Sequence, residues 1–149
     1  MNIKNYTSSV PVHLTVSRIE QLLCEAGVLG VNKDYDNGSL SALSFRITAP
    51  SGKVISIRLP ADSSAVFETM KKEVSRPREG TMDRIKLQSE RTAWKLMEDW
   101  IRVQISLIQM QKVDALQVFM PYIWDGTQSF YHAIKAGGFK ALPAPRAES

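Results

Sequence analysis

From Met82 to Gln111 the chain runs thirty residues without a glycine or a proline. That stretch predicts a helix about 45 Å long at 1.5 Å rise per residue, a rod around which the rest of the fold must be built. Its apolar residues fall into two adjoining stripes at steps of three and four. One is Trp94, Met97, Ile101, Ile105 and Ile108; the other is Ala93, Leu96, Trp100, Val103, Leu107 and Met110. Together they cover more than half of the helix, so other segments or a second copy of the chain must shield it. The expectation is a homo-oligomer, with Trp94, Trp100, Ile101 and Ile108 at the interface. The remaining side carries Arg91, Lys95, Glu98, Arg102 and Gln109 and reads as a solvated face. There Glu98 would pair with Arg102 and Asp99 with Lys95, four residues apart in each case. Adjacent helix positions point about 100° apart, so Glu98 and Asp99 do not form a converging acid–base pair.

Residues 1–14 read as extended, because Pro11 discourages a helix before it. Thr15 or Ser17 is the expected start of a first helix, Ser17 forming a capping box with Glu20. Val16, Ile19, Leu22, Leu23 and Ala26 make its buried side, and Gly27 its C-terminal stop. Cys24 lies within that apolar run and reads as a small buried hydrophobe. As the sole cysteine it excludes an internal disulfide.

The apolar period then changes from 3.6 to 2. Val28–Tyr35 is a first strand, and Asp36-Asn37-Gly38 has the chemistry of a tight hairpin turn. Leu43, Phe45 and Ile47 alternate with polar residues, as do Ile55, Ile57 and Leu59. For both sets to face one side, the loop between them must hold three or five residues. With five, Arg46 lies opposite Ser56 and Arg58 opposite Ser44. The expected unit is a three-stranded antiparallel meander with one face on the core and one face wet.

Asp62 or Ser63 caps a second helix through about Val74, with Ala65, Val66, Phe67 and Met70 as its contacts. Beyond the rod, Asp114 caps a short helix ending at Pro121, Trp124-Asp125-Gly126 makes a turn, and Gln128–Lys135 forms a last helix. Residues 141–149 read as a disordered tail. Strands grouped together with helices on one face define an α+β class, organised as a single domain over residues 1–140.

No apolar run approaches the roughly 20 residues that span a bilayer, and the N-terminus has no secretory pattern, so the expected location is the cytoplasm. There is no phosphate loop with its lysine, no dinucleotide fingerprint, and no cysteine or histidine pair at metal-ligand spacing. His13 and His132 stand far apart in the chain. No cofactor, metal or catalytic residue is therefore expected. The formal charge of +4 permits phosphate or acidic partners without requiring them. Cations gather between Lys71 and Lys86, including Arg76, Arg78 and Arg84. With Arg46 and Arg58 on the wet sheet face they are the candidate phosphate contacts, since a guanidinium meets phosphate oxygens bidentately. The late aromatics Phe119, Tyr122, Trp124, Phe130 and Tyr131 would either stack bases or staple the C-terminal helices to the rod.

Two passages carry a resemblance. One is Ser9-Val-Pro-Val-His-Leu-Thr-Val-Ser-Arg-Ile-Glu-Gln-Leu-Leu23, followed by Tyr35 and Leu43-Ser-Phe-Arg-Ile47. The other is Arg91-Thr-Ala-Trp-Lys-Leu-Met-Glu-Asp-Trp100 with Gln104, Leu107 and Ile108, then Val118-Phe-Met-Pro-Tyr122. In order and spacing they resemble a family of small uncharacterised bacteriophage and prophage proteins. Arg18 departs from that pattern, which has a carboxylate near the helix start, where the dipole favours negative charge. The resemblance implies a phage accessory protein in the bacterial host cytoplasm. The expected function is non-enzymatic counter-defence, by blocking a host protein or sequestering a phosphorylated signalling nucleotide. The alternative is a nucleic-acid-binding protein of phage replication or recombination.

Overall fold

The computed structural model describes residues 3–111 and 113–147. Its first helix, α1, spans Val12–Glu25 and begins directly after Pro11, whose φ of −60° and extended ψ make it the N-cap without any side-chain hydrogen bond. The expected start at Thr15 or Ser17 is therefore too late, and there is no capping box. Thr15 is buried on the core side and Ser17 is exposed inside the helix. Arg18 consequently sits well inside α1 and does not oppose the helix dipole at its start. At the other end Val28 N–H bonds Leu23 O (3.2 Å) and Gly27 N–H bonds Cys24 O (3.0 Å). This double closure needs the φ of +83° that Gly27 adopts. Cys24 is exposed, because α1 turns a narrower apolar side inward than its composition implies.

β1 (Leu29–Asp36), β2 (Ser39–Thr48) and β3 (Val54–Pro60) form an antiparallel sheet in sequential order. Asn37 and Gly38 both take positive φ, the two-residue turn whose twist matches the flanking strands. Five residues, 49–53, join β2 to β3, and Arg46 pairs with Ser56 and Ser44 with Arg58, as the parity argument requires. Leu43, Phe45, Ile47, Ile57 and Leu59 all face the core.

α2 (Ser63–Lys71) is capped by Asp62, whose carboxylate accepts from Ala65 N–H at 3.1 Å. It ends at Lys71, short of Val74, and Ala65 faces outward while Val66 and Met70 are buried. The rod is α3, Thr81–Gln109, entered through Gly80 at φ +79°. It lies on the core face of the sheet with α1 and α2 packed against it. Trp94 and Ile101 are at most 1% exposed, and Trp94 Nε1–H donates to Leu40 O. Trp100 sits edge-on to Phe119 and Tyr122, and Ile108 packs partly buried on the same core. The four residues expected at an oligomer interface are thus used within the chain. The rest of the fold shields most of the rod, and Val103 and Met110 stay exposed.

On the polar side of α3, Arg102 and Gln109 are exposed, as a solvated face requires, and Arg91 and Lys95 are half-buried. Glu98 is 2% exposed, not on a solvated face, and its Oε2 accepts from Lys95 (2.9 Å) and Arg102 (3.4 Å). Asp99, expected to meet Lys95, instead accepts from Lys4 and from Asn5 Nδ2 (2.8 Å). Gln88 donates to Tyr6 O and Ser8 O, and Thr92 to Asn5 O. Residues 3–8 therefore lie as a strap along α3, with a turn at Asn5, in place of an extended arm.

α4 (Ala115–Phe119) is capped by Asp114 and leads through a 3₁₀ turn, Met120–Tyr122, to Ile123. Ile123 bridges Ile57, and Trp124 N–H bonds Ser56 O at 2.9 Å. The chain so adds a short pairing to the outer edge of β3. Asp125 Oδ1 closes the next turn by accepting from Thr127 and Gln128. α5 spans Phe130–Ala136, capped by Ser129. Among the described residues no helix is long and apolar enough to cross a membrane.

Candidate functional site

Alternation along β2 and β3 sends Ser44, Arg46, Ser56 and Arg58 to the sheet face opposite α3. Cross-strand pairing makes Arg46 and Arg58 diagonal neighbours there, roughly 7–8 Å apart at the backbone. Arg46 lies over Gly30, where a Cβ would stand 3.1 Å from its Nη2. Gly30 is a bulge position with φ +53°, so the missing side chain makes room for the guanidinium. Arg58 is held more firmly. Its Nε–H donates to Asp34 Oδ2 at 3.1 Å, and Ser44 Oγ–H donates to the same oxygen.

The edge pairing of residues 123–124 brings the late aromatics to this face. The Arg58 guanidinium carbon stands 4.9 Å from the Trp124 ring centroid, a cation–π arrangement. Around the pair opens a cleft of about 330 Å³, completed by Tyr122, Ser129, Tyr131 and His132 between Pro60 and Pro121. Arg58 is half-buried, and its Nη groups make no hydrogen bond among the described residues. A fixed guanidinium beside aromatic walls has two capacities: donation to an anionic oxygen and stacking against a flat ring.

Ser129 and His132 meet at the start of α5. Ser129 Oγ accepts from His132 N–H as the α5 cap and lies 2.6 Å from Nδ1. No carboxylate orients the ring among the described residues, as a catalytic triad would require. Nor does any group of three His, Cys, Asp or Glu among those residues stand ready to hold a metal ion.

The five arginines expected to act together are split. Arg76 and Arg78 lie exposed in the loop before α3 and Arg84 in its first turn. Because α3 packs on the other side of the sheet, they are separated from Arg46 and Arg58. The cleft depends on Trp124, Tyr131 and His132, which no spacing in the sequence ties to Arg58. The available signal was Tyr122-Ile123-Trp124, three residues of high strand preference before a turn, able to continue a strand.

Two carboxylates have shifted affinities for protons. Around Asp99, burial pushes the pKa upward, but the hydrogen bonds from Lys4 and Asn5 together with nearby positive charge outweigh it, and the carboxyl titrates below its ordinary value. Asp125 is likewise lowered, by the backbone N–H groups of Gln128 and Thr127. Both act in the architecture and neither lines the Arg58 cleft.

A second cleft, of about 380 Å³, opens between the start of α1, the β1–β2 hairpin and α3. Comparison with known proteins returns no match, whether to family models, curated sequences or solved structures.

Proposed function

We propose that the protein is a non-enzymatic binding protein whose Arg58 cleft takes a phosphorylated ligand of the nucleotide type. The observation that carries this reading is the Arg58–Trp124 pair: a guanidinium anchored through Nε to Asp34, stacked on an indole, with its Nη groups turned to no acceptor among the described residues. The base stacks against Trp124 or Tyr131 and the phosphate meets Arg58. Anchoring Arg58 beforehand lowers the ordering cost of binding. Together with the sequence resemblance, this supports reading the protein as a phage accessory protein of the bacterial cytoplasm that sequesters a phosphorylated signalling nucleotide.

Calorimetric titration with AMP, adenosine and inorganic phosphate tests it. Saturable binding of AMP, at least tenfold tighter than adenosine or phosphate alone, is the expected result. Equal binding of AMP and adenosine would remove the phosphate contact and overturn the proposal. The second reading, single-stranded nucleic acid along the open sheet, is favoured by Arg46 standing diagonal to Arg58 on the same face. An oligonucleotide would then bind with affinity falling steeply in salt, and AMP would not bind measurably.

A further inference from the structure

We infer that the cleft between α1, the β1–β2 hairpin and α3 is a second, independent site, and that it takes a small zwitterion: a free α-amino acid with an apolar side chain. Arg91 lines this cleft from α3. It is half-buried, its Nε is enclosed, and it has no hydrogen-bond or ion-pair partner among the described residues. The enclosed Nε–H is not reached from the cleft, but the Nη groups are not enclosed and have no partner among the described residues, and a ligand carboxylate would offer them two acceptors in the paired geometry that a guanidinium prefers.

The next residue sets the class of ligand. Glu90 lines the same cleft, and its Oε1 accepts from Ser39 Oγ–H at 3.0 Å, which fixes the carboxylate without neutralising it. Lys33, at the cleft wall, is already matched by Glu20 at 2.9 Å, and this partner raises its pKa. Lys33 and Glu20 cancel, which leaves Arg91 and Glu90, one positive and one negative charge, facing the cleft beside His13. A phosphate or dicarboxylate would meet Arg91 but be repelled by Glu90. A molecule carrying one carboxylate and one ammonium satisfies both charges and adds no net charge to the cleft. Val16, Leu40 and Leu87 supply apolar wall, and the volume accommodates an aliphatic or aromatic side chain. This inference does not depend on the nucleotide reading of the Arg58 cleft.

The test follows thermal unfolding of the full chain with L-leucine and L-phenylalanine, and with N-acetyl-leucine, leucinamide and inorganic phosphate as controls. A free amino acid should raise Tm in a concentration-dependent way. The N-acetyl compound, lacking the ammonium, and the amide, lacking the carboxylate, should each need at least tenfold higher concentration for the same rise. Glu90→Gln keeps the acceptor for Ser39 and should weaken the amino acid at least tenfold without changing the response to N-acetyl-leucine. Arg91→Met should abolish the response to both, and Arg58→Met should leave it intact. No shift with either amino acid overturns the inference. So does a phosphate response as large as that of the amino acids, which would mark a simple anion site. The ligand series uses the natural chain, so a poorly folding variant does not remove the test.

Discussion

The two faces of the β2–β3 hairpin share one backbone and have opposite duties. Leu43, Phe45, Ile47, Ile57 and Leu59 point to one side and are at most 5% exposed, packed on Trp94, Ile101 and Phe119. Ser44, Arg46, Ser56 and Arg58 point to the other, where the contacts are an ion pair, a bulge and one stacked indole. The first face concentrates apolar burial, worth about 25 cal/mol per Å² removed from water. On the second face a salt bridge contributes on the order of 1 kcal/mol or less. With the open face as the proposed recognition face, stability and recognition are separable by the parity of residue number, and substitutions at neighbouring positions can test that separation.

Phe45→Ala should give the largest effect. It removes a 1% exposed ring that stacks edge-on against Phe119 at 5.3 Å, and urea unfolding should report a loss of about 3–5 kcal/mol. A loss below 1 kcal/mol would mean that this face is not the core. Glu98→Ala comes next, at about 1–3 kcal/mol. It deletes an enclosed acceptor, but Lys95 and Arg102 retain water access at 20% and 53% side-chain exposure, which limits the damage. Gly30→Ala should cost about 1 kcal/mol, since a side chain at φ +53° is strained and would press on Arg46. Adding Arg46→Ala to it should recover only the contact part of that cost. Arg46→Ala alone should stay within about 0.5 kcal/mol of the natural chain, although it neighbours Phe45.

The strap offers a pH-dependent version of the same contrast. Asp99 titrates below its ordinary value in the fold, so the stability it contributes is present above the unfolded carboxyl pKa of about 3.9 and is lost as pH falls through the folded value. Asp99→Asn should therefore lower stability at pH 7 and flatten the acid limb of an unfolding titration below about pH 4, where the two chains converge. An unchanged acid limb would show that Lys4 and Asn5 do not hold the strap through this carboxylate.

Much of the meander was legible in the sequence because alternation and loop parity are local facts: Asn37-Gly38 specifies the first turn, and five loop residues specify the second. Burial along α3 was legible for Trp94 and Ile101, but not what covers them, because the pattern of a helix is the same whether its neighbour is its own sheet or a twin. Glu98 and Cys24 were misread for related reasons. An i,i+4 ion pair looks identical on an open face and beneath a neighbouring element, and a cysteine among leucines has no polarity to betray its orientation. The start of α1 was missed because Ser17 and Glu20 fit a cap in spacing, whereas Pro11, with its φ already preset, ends the extended segment sooner. The candidate site was legible only in half. Parity placed Arg46 and Arg58 on the open face, but their meeting with Trp124 depends on the Ile57–Ile123 bridge, a non-local pairing of single residues.

Arg58→Met tests the division of labour most directly, with urea unfolding and AMP titration performed on the same preparation. The account predicts a loss of stability of about 1 kcal/mol or less, together with at least a tenfold loss of AMP affinity. A lowered midpoint with AMP binding unchanged would contradict it, because Arg58 would then belong to the scaffold and not to the site.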